Sequence, residues 1–179
     1  MSGIISDNQG RSSGLVKAAG GGKIKQMAYT TYDAVYTIAS STLAEANTNN
    51  RVTITPTSTS NKLILEMYIP CNFAGTTAPR DYMWYDVTGS AVFAPSSVTT
   101  GSRIKAHAIY RGSGGDANDC DFIYVKTIGA CPRTTSSVFT PYVSDEGANT
   151  FYMNYSNSDG SEWQANCVSF MTATEIETV

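Results

Sequence analysis

The stretch Asn49–Ile69, "NNRVTITPTSTSNKLILEMYI", sets two alternating apolar runs on either side of a Pro/Thr/Ser/Asn turn. In "RVTIT", Val52 and Ile54 share one face while Thr53 and Thr55 take the other. In "KLILEMYI", Leu63, Leu65, Met67 and Ile69 fall on one face; Lys62, Ile64, Glu66 and Tyr68 fall on the opposite one. A period of two is the signature of β-strands, and a one-residue slip would exchange the faces. The stretch therefore reads as a hairpin-like pair, with Pro56 ending the first strand.

The same reading extends outward. "KIKQMAY", "TTYDAVYTI", "DYMWYDV", "AVFA", "RIKAHAIY", "DFIYVKTI", "SSVFTPYV", "FYMNY" and "WQANCVSFMTA" are short strand-like runs separated by Gly, Ser, Thr and Asn. "NSDG" suits a tight turn between the last two. The best helical candidate is "SSTLAEAN", with room for one or two turns. The expected fold is all-β: an antiparallel β-sandwich, jelly-roll-like, over residues 23–179. Residues 1–22 form an extended Gly/Ser-rich arm in which only Ile4, Ile5, Leu15 and Val16 offer anchoring side chains. Gly20 to Gly22 then act as a hinge.

Composition narrows the function. Hydrophobic residues make up 41% of the 179 and charged residues only 15%, so Ser, Thr, Asn and Tyr cover much of the surface. Such surfaces suit packing against copies of the same chain or contact with sugars. With 12 basic and 15 acidic side chains and a net charge of −3, no nucleic-acid footprint is expected. No run approaches the roughly 20 apolar residues of a spanning helix, and the first residues lack the apolar centre of a secretory signal. Synthesis in a cytoplasm without membrane insertion is expected.

Sites for chemistry are sparse. His107, the single histidine, has no nucleophile signature beside it and reads as an exposed or hydrogen-bonded strand residue. "GGGKIK" is no phosphate loop, since neither Ser nor Thr follows Lys23 and a strand follows instead of a helix. Asp116, Asp119 and Asp121 are weak candidates for a hard cation, against a solvated turn. Asp86, Glu66, Asp145, Glu146 and Glu162 are candidates for a hydrolytic carboxylate pair that sequence cannot place across a cleft. Cys71, Cys120, Cys131 and Cys167 show no zinc spacing, and free thiols are preferred over a Cys120–Cys131 bridge. Tyr82, Trp84 and Tyr85 cluster as a candidate glycan or interface contact, weighed against ordinary core packing. Non-enzymatic function without a cofactor is expected.

The run "GKIKQMAYTTYDAVYTIASST…NNRVTITPTSTSNKLILEMYI" resembles small structural proteins of tailed bacteriophages, especially those of marine cyanobacteria. The elements that carry it are Gly22, Lys23, Ile24 and Gln26, then Ile54 to Lys62, then Leu63 to Leu65. The closing "CVSFMTATEI" is similar to the terminal strand of that group, and "SGIISDNQGRSSGLVKA" to its leaders. The likeness covers residues 2–70 and 163–176 and leaves the middle of the chain without a motif. It implies a virion protein, all-β and trimeric: a capsid decoration, head fibre or short appendage held by its N-terminal arm to other virion proteins. The alternative is a tail-fibre or spike knob binding host surface glycan, with a glycan depolymerase as the enzymatic rival.

Overall fold

The computed structural model describes residues 23–72, 79–95, 106–111, 121–145, 151–154 and 167–178. Its elements are strands: β1 (Ile24–Tyr32), β2 (Tyr36–Ile38), β3 (Ala44–Glu45), β4 (Val52–Ile54), β5 (Lys62–Asn72) and β6 (Pro79–Asp86). They continue as β7 (Ala91–Val92), β8 (Ala108–Arg111), β9 (Asp121–Ala130), β10 (Ser137–Asp145), β11 (Phe151–Met153) and β12 (Ser169–Ile176). A 3₁₀ turn at Thr48–Asn50 is the single helical piece among them.

Two antiparallel sheets pack face to face. The first runs β1–β12–β5–β9, with β11 and β2 continuing beyond the far end of β5; the second runs β3/β4–β10–β6–β7/β8. The pairing is nested: β6 with β8, β5 with β9, β4 with β10 and β1 with β12. Such nesting is that of one long antiparallel ribbon wrapped so that successive pairs alternate between the sheets. That is the jelly-roll arrangement, and the expected fold is present.

The alternation read from the sequence chose the right faces. Leu63, Leu65, Met67 and Ile69 of β5 are fully buried, facing Tyr82 and Trp84 of β6 and Phe139 and Val143 of β10 in one core. Phe93 meets Phe139 edge-on, with ring centres 5.2 Å apart. Gly129 of β9 has no side chain because a Cβ there would stand 2.7 Å from both Ala94 and the Phe93 ring.

Two expectations need correction. β4 and β5 are not a hairpin: β4 pairs with β10 in one sheet, β5 with β12 and β9 in the other. The Pro56–Asn61 turn carries the chain between layers instead of folding it back within one. "SSTLAEAN" forms no helix. Its Ala44 and Glu45 add a short strand to β10, opposite Val143 and Tyr142, where open ladder positions outweigh weak helical propensity.

Candidate functional site

The turn between the layers is tied down by one carboxylate. Glu175, inward-facing on β12 and fully buried, receives Asn61 Nδ2 at 2.6 Å, Thr57 N and Oγ1 at 2.8 Å each, and Gln26 Nε2 at 2.7 Å. Burial pushes its pKa up, but these hydrogen bonds outweigh burial and bring it down to about 2. Gln26, Thr57, Asn61 and Glu175 come from three of the stretches quoted above: the opening "GKIKQ", "ITPTSTSNK" and the closing "CVSFMTATEI". Their meeting point is a structural clasp with every carboxylate oxygen occupied.

The candidate carboxylates are dispersed. Asp86 is held by Arg133 through Nη1 at 2.9 Å and Nη2 at 2.6 Å, and it also accepts from Gly89 N at 2.9 Å. Asp145 pairs with Arg80 at 2.9 Å, both side chains fully buried between the sheets at the other end of the β6–β10 ladder. Glu66 lies on the outer face of the other sheet, and Glu146 and Glu162 fall outside the described residues. The described three therefore share no groove. A half-open cavity of about 340 Å³ beside Asp86 is lined by Val92, Phe93, Ala130 and Arg133, and its two charged groups are spent on each other.

His107 is hydrogen-bonded, as one of the two expected readings has it. Its Nδ1 accepts from Trp84 N at 2.9 Å, which leaves the proton on Nε2, 3.2 Å from the Ala94 carbonyl. With both ring nitrogens engaged by backbone, the imidazole splices β6 to the chain after β7. Cys131 is a buried free thiol whose pKa burial pushes up to about 11, with the Glu175 carboxylate adding to the rise. Its suggested partner Cys120 lies outside the described residues, as do Asp116, Asp119, Ile4, Ile5, Leu15 and Val16. Asp121 opens β9, its backbone opposite Cys71. Among the described residues no group of three His, Cys, Asp or Glu side chains could hold a metal ion, and no helix is long and apolar enough to cross a membrane.

The Tyr82–Trp84–Tyr85 cluster is split by its own strand. Tyr82 and Trp84 point inward and are fully buried, so as surface contacts they are corrected to core. Alternation leaves only Tyr85 on the outer face, stacked on Tyr142 with ring centres 4.1 Å apart and 15° between planes.

The exposed aromatic surface is elsewhere, on the outer face of the sheet β1–β12–β5–β9. Tyr68 at its middle is flanked by Phe170 of β12 and Phe122 of β9, with ring centres 5.2 and 5.5 Å away and planes 18° and 29° apart. Beyond this stack, the β9 edge shows Phe122 (56% exposed), Tyr124 (50%) and Ile128 (59%). The β1 edge shows Ile24, Met27 (63%) and Tyr29 (70%). At the centre, Glu66 accepts from Tyr124 Oη at 2.5 Å and meets Lys126 Nζ at 3.1 Å. The tyrosine hydrogen bond and the lysine together lower the Glu66 pKa. Glu66 is thus paired within the face, on which Lys62 of β5 also lies exposed.

Aromatic side chains carry roughly 150–250 Å² each, so Tyr29, Phe122, Tyr124 and Phe170 leave roughly 300–500 Å² of ring-bearing surface in water before the aliphatic residues are added. Summed over the two edges of the face, that is comparable to the few hundred Å² of the largest patch on a typical soluble monomer. Sequence reasoning passed over this face, although "DFIYVKTI" held a signal. Phe122, Tyr124 and Ile128 alternate with Ile123 and Val125, and a strand apolar on both sides is one covered on both sides.

No protein-family model matches the sequence, and no curated protein matches it. The residues themselves carry the functional reading.

Proposed function

We propose that this chain is a non-catalytic structural protein of a tailed-bacteriophage virion: a capsid decoration or short appendage, trimeric, and held to its neighbours by residues 1–22. The observation that carries the assembly part is the apolar outer face of the sheet β1–β12–β5–β9. Water-exposed rings and aliphatic side chains of this kind are what protein interfaces bury. The virion setting rests on the resemblance, and the jelly roll agrees with it as a fold shared by viral capsid and lectin domains.

Among the described residues, the candidate carboxylates Asp86, Asp145 and Glu66 are dispersed and each engaged by a cation, which favours binding over hydrolysis. A second reading, a knob touching host glycan, is favoured by the Tyr85–Tyr142 stack beside the Arg51–Glu45 pair on the opposite sheet, whose nitrogens and oxygens meet at 2.7 and 2.8 Å. Immunogold labelling of purified particles with an antibody to the folded domain tests the proposal. Label over the shell at many points per particle supports decoration, and label at the tail alone supports the knob. Particles without label overturn both.

A further inference from the structure

We infer that the half-open cavity where the turn after β6 meets the chain after β9 is a binding site for a small monocarboxylate with an apolar body. It lies at the end of the sandwich where β6 and β9 finish, apart from the outer face proposed for assembly.

The local chain is arranged to keep this space open. Protein interiors pack to crystal-like density, yet about 340 Å³ stands open here, within the range of small-molecule sites. Val92, Phe93 and Ala94 line it together with Ala130, Pro132 and Arg133. Ala94 sits at φ 45°, a left-handed conformation that is costly for a residue with a Cβ, and such strain gathers at functional sites. His107 Nε2, 3.2 Å from the Ala94 carbonyl, holds it there. The missing side chain of Gly129 gives Phe93 and Ala94 room against β9. At Gly89 a Cβ would collide with Arg133 Nη2 and Asp86 Oδ2 and displace the guanidinium.

Arg133 supplies the recognition. Its Nη1 donates to Asp86 Oδ1 at 2.9 Å and to Ser137 Oγ at 3.1 Å, and its Nη2 donates to Asp86 Oδ2 at 2.6 Å. A guanidinium carries five N–H donors, and these bonds use three of them. Among the described residues, no acceptor meets Nε or the second hydrogen of Nη2. Nε and Nη2 share one edge of the guanidinium plane, where two parallel N–H bonds fit the two oxygens of a carboxylate.

Asp86 holds a different edge of the same plane, so the cation stands between it and the incoming anion. The Arg133 side chain is 23% exposed against 6% for Asp86, which makes the cation the member of the pair that a ligand meets first. Asp86 also accepts from Gly89 N at 2.9 Å, a donor that draws its charge away from the cavity. The rest of the lining is hydrocarbon, so the rest of the ligand is a ring or a short aliphatic chain.

The test is ligand-observed NMR on the full chain, with benzoate as the probe and benzamide as its uncharged counterpart. Benzoate is expected to bind at millimolar concentration or below, and about tenfold more tightly than benzamide. Arg133→Lys keeps a cation against Asp86 without the free fork, and Ala130→Leu fills the cavity from an exposed position. Each is expected to weaken benzoate binding about tenfold or more, with thermal melts verifying the fold. Should Arg133→Lys fail to fold, Ala130→Leu decides alone. A wild-type chain that does not bind millimolar benzoate overturns the inference. So does equal affinity for benzoate and benzamide, or benzoate affinity that is unchanged in either folded variant.

Discussion

Glu175 accepts a 2.6 Å hydrogen bond from Asn61 although 114 residues separate them in the chain, and this contact locks the last strand to the turn that moves the chain between sheets. The Glu175 pKa of about 2 lies below its ordinary value of 4.5, so the unfolded chain binds the proton more readily than the folded one. The stabilisation is therefore complete above about pH 4.5 and is lost as pH falls toward 2. Glu175→Gln is expected to cost about 2 kcal/mol at pH 7 and to flatten the stability curve between those values. Urea titrations at pH 7, 4 and 2.5 check this. An unchanged acid slope would remove Glu175 from its role.

Arg80 and Asp145 form an ion pair with no solvent contact on either side chain. Removing one partner leaves an uncompensated ion in the core, so Asp145→Ala is expected to destabilise by about 3–5 kcal/mol. Replacing both with apolar residues of similar volume should recover most of that loss. Thermal melts of the single and double variants decide the matter, and equal losses in the two would contradict it.

Trp84 and Tyr85 are adjacent in sequence and opposite in environment. Trp84→Ala is expected to cost about 3–5 kcal/mol through the cavity it opens, and Tyr85→Ala clearly less. Gly129→Val should cost about 1–3 kcal/mol by driving a side chain into the Phe93 ring. Chemical denaturation orders the three, and a larger loss at Tyr85 than at Trp84 would reverse the assignment of faces.

Deleting residues 2–19 removes Ile4, Ile5, Leu15 and Val16 while sparing all described strands. The shortened chain is expected to keep its melting temperature and to be missing from purified particles when supplied in place of the full chain. Quantitative immunoblotting of particles measures this, and full incorporation would end the anchoring role.

Much of the architecture was legible because alternation is local. β5 declares its buried face through Leu63, Leu65, Met67 and Ile69 with no knowledge of the partner strands. The destination of each strand was not legible. β4 crosses to β10 instead of turning back onto β5, and the turn from β4 to β5 is held by Glu175 reaching Thr57 and Asn61, a contact across the domain that no local pattern announces. The surface was harder still. Tyr82 and Trp84 looked like candidates because aromatics suit both cores and interfaces, and only the pairing of β6 with β10 assigns their face. Phe122 and Tyr124 were obscured because β9 is apolar on both sides, and the layer covering its inner side has to be found before the outer side stands out as bare.

The proposed assembly requires that the outer face of the sheet β1–β12–β5–β9 be covered by another copy of the chain. Sedimentation velocity of the full-length chain from low to high micromolar concentration tests this most directly. The prediction is a discrete species at a small multiple of 19.1 kDa, trimeric by the present reading. A single 19.1 kDa species throughout that range would contradict it.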